Sequence, residues 1–316
     1  MIALVTFLNL ALSANQALAA HELNLPPNEM GQVMVLMYHQ IKAPGTTISP
    51  KDVYSTNATL FRENLEKLYG EGYYLINVRD LIDGTINVPL GKTPVALTFD
   101  DGAPGQFTKI NGSWDPNSAV GIINDIYEKH PDFGRAGSFY LNELGEKKHP
   151  DIKATLQEMV TLGFELGNHT VDHPELNKLD QTGTEKEIAN LQAWIDSLVP
   201  GYHVRTMALP FGIYPKETSW AEDGEYNNVK YHHEALLAVG AEPSVSPYSK
   251  AFRPMHIARV RASDPEWFNR YVELFERSPS LRFVSDGDPK LVTVPESKKS
   301  QLRTDLPSAL HVFIRQ

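Results

Sequence analysis

Short apolar runs rich in β-branched and aromatic residues alternate with segments of helical periodicity along most of the chain, and this alternation limits the folds open to it. The runs are "QVMVLMYHQI" at 32–41, "YYLINV" at 73–78, "TPVALTF" at 93–99, "AGSFYL" at 136–141, "FELGNH" at 164–169 and "VRTMALPFG" at 204–212. Between them lie helical patterns. In 57–70, Leu60, Phe61, Leu65 and Leu68 share one face and the pattern stops at Gly70. Further helices are expected over 119–130, 151–163 and 183–199, and "PEWFNRYVELFER" at 265–277 continues the alternation. Several strands have no polar face, which is the pattern of a parallel sheet covered on both sides. No fixed-period repeat interrupts it.

The 316 residues fit a single α/β barrel domain. The net charge of −10, with no basic cluster, argues against nucleic acid as a partner. There is no cysteine, so disulfides, thiolate metal sites and cysteine nucleophiles are excluded, and any metal site must use His and carboxylates. Residues 1–20 read as a secretory signal or uncleaved anchor, apolar from Ile2 to Leu12 and ending in small residues, which implies a secreted or cell-surface protein. Membrane contact is expected only through that segment. Residues 21–31 read as a linker, 32–285 as the catalytic domain, and 286–316 as a peripheral tail.

Polar residues recur where strands end: His39, Asp100 with Asp101, Asn168 with His169, and Pro210 with Phe211. In barrels and open α/β sheets that edge carries the active site. Asp100 and Asp101 would point to opposite faces of a strand, but a turn before Gly102 can bring both to one pocket, where they need a cation between or beside them. An Asp-Asp-Gly turn that caps a helix is the plainer alternative. His169 and His173 lie four apart, yet Pro174 and the strand before them favour a loop over a helix. Either pair alone is ambiguous, whereas both pairs at the ends of one sheet point to a metal site.

These segments resemble the polysaccharide deacetylase family, carbohydrate esterases with a NodB homology domain. "TFDDG" at 98–102 and "HTVDH" at 169–173 carry the first two family motifs, and "LPFG" at 209–212 is similar to the third. The resemblance implies a distorted (β/α) barrel of about seven strands and removal of N-acetyl groups from an N-acetylglucosamine-containing polysaccharide. It implies a divalent metal, zinc first, with cobalt, nickel or manganese as alternatives. Carried over, Asp101, His169 and His173 are metal ligands, Asp100 the general base, and the Phe211 N–H an oxyanion donor. "VLMYHQI" at 35–41 resembles the opening strand of a circularly permuted subgroup, which makes His39 the general acid, with His256 as competitor.

One position departs from the pattern. The family's third motif often begins with an arginine that pairs with the base, and here Ala208 stands there. Arg259 or Arg261 could supply a guanidinium, or be ordinary surface groups. Arg259, Tyr38, Pro210 and Phe211 are expected at the substrate, although aromatic residues near strand ends also serve as core. Asp264 and Trp267 fit either a family motif or a helix cap and a core aromatic, and His232-His233 is expected to open a helix. Two other functions share these residues: an O-acetyl esterase of xylan type, and a carbohydrate-binding wall protein that lost turnover.

Overall fold

The computed structural model describes residues 25–84, 86–142, 151–240 and 242–316, so the leader expected at 1–20 lies outside the described residues. One parallel sheet organises the chain. Its strands are β1 (Met34–Tyr38), β2 (Tyr73–Ile76), β3 (Thr93–Asp100), β4 (Ser138–Leu141), β5 (Glu165–Asn168), β6 (Thr206–Ala208), β7 (Ala235–Leu237) and β8 (Val260–Arg261). Seven run in the order β7-β6-β5-β4-β3-β1-β8. The eighth, β2, pairs with Thr93–Ala96 of β3, while β4 takes Thr98–Asp100 on the same edge. A bridge from Leu237 to Ile257, with Ile257 N–H donating to Leu236 O at 2.9 Å, brings the two ends of the path together. The sheet is thus the distorted (β/α) barrel of about seven strands that the sequence implied.

The covering helices start where the sequence supplies caps. Helix α1 (Ala58–Gly70) is capped by Asn57, whose Oδ1 accepts Leu60 N–H at 2.9 Å. Helix α2 (Ala119–Lys129) uses Ser118, and α4 (Gln181–Leu198) uses Asp180; between them lies α3 (Ile152–Thr161). Helix α5 (Pro265–Arg277) has Pro at its first turn and Asp264 as cap, and half-buried Trp267 packs against the core, so both take their plainer roles. Such caps are each worth about 1 kcal/mol. Phe61, Leu65 and Leu68 of α1, Ile122, Ile123 and Ile126 of α2, and Phe268, Val272 and Phe275 of α5 join alternate strand residues such as Met34 and Leu36 in one core. The other strand face, with Val35, Ala96, Tyr140, Ala208 and Leu237, forms a second.

That second core corrects two boundaries. The tail expected as peripheral contributes Val292 and Val294, both fully buried, from a strand at Leu291–Pro295 that pairs in parallel with His311–Arg315. The expected linker packs as well: Asn28 N–H donates to Val284 O at 2.8 Å, Glu29 N–H to Thr293 O at 2.9 Å, and Met30 is buried. A polar composition concealed this, because alternate apolar residues suffice to bury one face. His232 also differs from expectation. It ends a hairpin, Asp223–Tyr226 with Val229–His232, rather than opening a helix. Asn227 and Asn228 take φ of 50° and 63°, the left-handed conformation that a two-residue hairpin turn requires. No helix among the described residues is long and apolar enough to cross a membrane.

Candidate active site

Strand β3 ends at Asp100, which faces inward and is buried. Asp101 then takes φ 74° and Gly102 φ 53°, so the turn begins on the second aspartate itself and swings its carboxylate to the same side. The two carboxylates enter different surroundings. Asp100 is clamped by Arg259, with Nη1 to Oδ1 at 2.7 Å and Nη2 to Oδ2 at 2.8 Å. Arg259 is fully buried and is itself held by Nε donating to Ala238 O at 2.9 Å. The guanidinium absent at Ala208 therefore arrives from the residue before β8. Burial pushes the Asp100 carboxyl up, but Arg259, His169 and His39 together outweigh it and hold it below the ordinary value.

Asp101 Oδ1 lies 3.3 Å from His169 Nε2 and 3.6 Å from His173 Nε2, and accepts Asn142 Nδ2 at 3.2 Å. His169 Nδ1 donates to Ala208 O at 2.7 Å, which turns the lone pair of Nε2 toward Asp101. A buried imidazole lone pair facing a carboxylate oxygen is untenable unless a proton or a cation lies between them. Four ligands set tetrahedrally at about 2.1 Å from a zinc ion stand about 3.4 Å apart, so the donor atoms fit one ion. All three lie within 4.8 Å of one another. Burial depresses the His169 imidazole, yet Asp100 and Asp101 outweigh it and the net shift is upward. His173 is pushed down by burial and by His169. Asp101 is held well below the carboxylate range, since the imidazoles outweigh its burial.

His39 follows β1 directly and places Nε2 at 3.8 Å from Asp100 Oδ2. Burial is the largest influence on its imidazole and lowers its pKa, against Asp100 and Asp101, which raise it. Gln106 ties the ends of β1 and β3 together, its Nε2 donating to His39 O at 2.9 Å and Asp100 O at 2.6 Å. His39, Asp100, Asp101, His169, His173 and Phe211 line one cleft of about 340 Å³. His256 does not reach it: exposed, it contacts Tyr214 Oη through Nδ1 at 2.7 Å and borders a separate hollow.

Other expected substrate contacts are corrected. Tyr38 is fully buried, stacked on Phe99 and edge-on to Phe61. Pro210 is buried beneath the turn it shapes. Arg259 contacts Asp100 and is fully buried. Phe211 does reach the cleft, 58% exposed, its ring 4.4 Å from that of His173. The bonds of its turn are donated by Gly212 to Leu209 O and by Ile213 to Pro210 O, so the Phe211 N–H takes no part in them.

Backbone strain gathers at the same place. Of eight described non-glycine residues with positive φ, Asp101, Thr170, His173 and Phe211 are here. Thr170 Oγ1 accepts His173 N–H at 3.1 Å and Asn168 Oδ1 accepts Thr170 N–H at 2.9 Å, bonds that hold the strained loop. Sequence reasoning missed Gln106, Asn142 and Tyr54, all at or beside the cleft. Asn142 obeys the rule that found the others, a polar residue just past a strand's C-terminal end. The other two come from loops and carry no comparable signal.

Residues 87–229 match the polysaccharide deacetylase family. A chitin deacetylase of Arthroderma benhamiae is 29% identical over 125 residues, 40% of this chain and 29% of that protein. The Bacillus subtilis protein YxkH is 23% identical over 249 residues, 76% of this chain and 75% of that one. A peptidoglycan-N-acetylglucosamine deacetylase of Bacillus cereus is 26% identical over 144 residues, 45% of this chain and 46% of its own length. The chain thus spans under half of two of these relatives. Among solved structures, the Streptococcus pyogenes deacetylase PplD in complex with acetate superposes with a TM-score of 0.54 at 20% identity, covering 78% of this chain and 98% of that one. A polysaccharide deacetylase from Bacillus cereus gives 0.54 at 20%, covering 76% and 69%. At that identity the structures establish a shared fold.

Proposed function

We propose that the chain, whose residues 87–229 match the polysaccharide deacetylase family, hydrolyses N-acetyl groups on an N-acetylglucosamine-containing polysaccharide, of peptidoglycan, poly-N-acetylglucosamine or chitin type. The observation that carries this reading is the division of labour between adjacent aspartates: Asp100 bound by Arg259 and beside His39, Asp101 between two imidazoles. The names of relatives matched here, chitin deacetylase and peptidoglycan-N-acetylglucosamine deacetylase, support the substrate class.

Asp101, His169 and His173 would hold a divalent cation, zinc by the mixed nitrogen and oxygen donors, with cobalt, nickel or manganese as alternatives. Bound there, the ion would supply a Lewis acid for the acetyl carbonyl and lower the pKa of a water toward about 7. Asp100, kept ionised by Arg259, takes the proton of the attacking water. The Phe211 N–H faces the oxygen that gains charge as water adds to the carbonyl carbon. His39 gives a proton to the nitrogen as the C–N bond breaks, leaving acetate and a free amine. His39 and Asp100 stand side by side, so the acid and base roles fall to two groups of one buried network.

Ala208 is the departure that favours a protein that kept the fold without turnover, and the guanidinium of Arg259 on Asp100 weighs against that alternative. A polymer substrate together with the leader reading of 1–20 supports a place outside the cell, at or near the wall. The test is acetate release from N-acetylglucosamine oligomers by zinc-loaded protein, beside acetylated xylan. Release from the oligomers, lost in His39→Ala and kept in His256→Ala, is expected. Protein that binds zinc and frees no acetate from any acetylated glycan would sink the proposal.

A further inference from the structure

The cleft has a second aromatic wall. Strand residues Gln40–Lys42 pair in parallel with Ser55–Asn57, Gln40 opposite Ser55, so the residue before each pair partner falls alongside: Tyr54 lies beside His39. The rings stand 4.8 Å apart, tilted by 57°. The loop leading to Tyr54 is fixed at its base. Lys42 Nζ bonds Asp52 Oδ2 at 2.8 Å, Ser55 N–H donates to Asp52 Oδ1 at 3.0 Å, and Asn57 Nδ2 donates to Thr46 O at 3.1 Å. Tyr54 is nevertheless 45% exposed, and it lines the cleft that Phe211 also lines.

The arrangement is symmetrical in chemistry. Tyr54 leans on His39 and Phe211 on His173, and the cleft that both line also carries Asp100 and Asp101. Large exposed aromatics are uncommon in this chain. Among the described residues only Tyr54, Phe211 and Phe313 stand out as such, and two of the three border this one cleft. Leaving an aromatic face in water forfeits burial, and a ligand that covers it recovers that free energy. A pyranose ring has an apolar C–H face and a polar rim, which suits a polar floor between two aromatic walls.

We propose that Tyr54 and Phe211 form a clamp for one N-acetylglucosamine ring, with Tyr54 stacking on the sugar and holding it against His39. The substrate class rests on the deacetylase reading above. The clamp itself rests on the geometry of Tyr54. An aromatic contact of this kind is worth about a tenfold change in affinity.

The experiment measures binding apart from turnover. The β-1,4-linked N-acetylglucosamine tetramer is titrated calorimetrically into metal-free and zinc-loaded wild type, Tyr54→Ala and Tyr54→Phe. Acetate release is followed on the tetramer and on a small acetyl ester with no sugar ring. The clamp predicts about tenfold weaker binding in Tyr54→Ala, near wild-type affinity in Tyr54→Phe, and a kcat/KM loss several times larger on the tetramer than on the ester. Unchanged tetramer affinity in Tyr54→Ala overturns it, as does an equal loss on both substrates, which would mark Tyr54 as packing for His39 alone. Wild type that fails to bind the tetramer overturns it too. If Tyr54→Ala weakens binding while wild type frees no acetate, the clamp stands and the deacetylase activity falls.

Discussion

Replacing Asp100 by asparagine removes a charge that two groups depend on. On the proposed reading the attacking water loses its base, and Arg259, fully buried, loses its carboxylate partner. Asp100→Asn is expected to lower kcat by about 10²–10⁴ and to destabilise the fold by about 3 kcal/mol. The double variant Asp100→Asn with Arg259→Met should recover much of that stability and none of the activity. Urea denaturation beside acetate release separates the effects, and an Asp100→Asn protein as stable as wild type would contradict the buried pair. A second expectation concerns His169. Asp100 and Asp101 raise its pKa, so protons compete with an entering cation for its Nε2. Zinc binding should therefore release protons and weaken as pH falls. Calorimetry in buffers of different ionisation enthalpy measures this; zinc affinity independent of pH from 5 to 8 would count against it.

Elements were legible in the sequence where periodicity was strong and illegible where burial came from few residues. The strands from β1 to β6 and the helices α1 to α5 follow apolar runs and capped helical patterns. Asp100, Asp101, His169 and His39 could be brought to one cleft because each sits at a strand's C-terminal end, a position that topology fixes, and His173 follows in the loop after β5. Arg259 was readable only as a candidate, since its partner is on β3 and its own strand lies beyond β1. Tyr54 was unreadable because its place depends on a pairing of three residues, Gln40–Lys42 with Ser55–Asn57, that no period announces. The C-terminal strand misled for the same reason: Leu291–Pro295 is short, with polar neighbours, yet Val292 and Val294 fill the inner core. Val294→Ala should cost about 2 kcal/mol. Deleting 291–316 should abolish the cooperative transition seen by circular dichroism, whereas a tail that melted away without effect would restore it to the periphery.

The molecule as a whole is closed by a three-way junction on Glu29. Glu29 Oε2 accepts Thr293 N–H at 3.0 Å and Oε1 accepts Asp286 N–H at 3.4 Å, while Ser246 Oγ donates to Glu29 O at 2.5 Å. The N-terminal segment and the C-terminal strand therefore meet on one buried carboxyl, and the loop before β8 joins them through the backbone carbonyl of the same residue. Burial, and after it the charge of Asp286, pushes that carboxyl up to about 8 from an ordinary 4.5. The folded state thus keeps a proton that the unfolded chain releases, which stabilises the fold fully below pH 4.5 and is lost as pH rises to about 8. The difference across that window amounts to roughly a few kcal/mol. Glu29→Gln has no proton to lose and keeps one acceptor oxygen, and its amide can face the Asp286 carboxylate. Its urea midpoint should change less than that of wild type between pH 5 and 8, and at pH 8 it should be the more stable protein. Parallel pH profiles for the two would mean that the junction holds Glu29 ionised and that the three segments are joined by the backbone bonds alone.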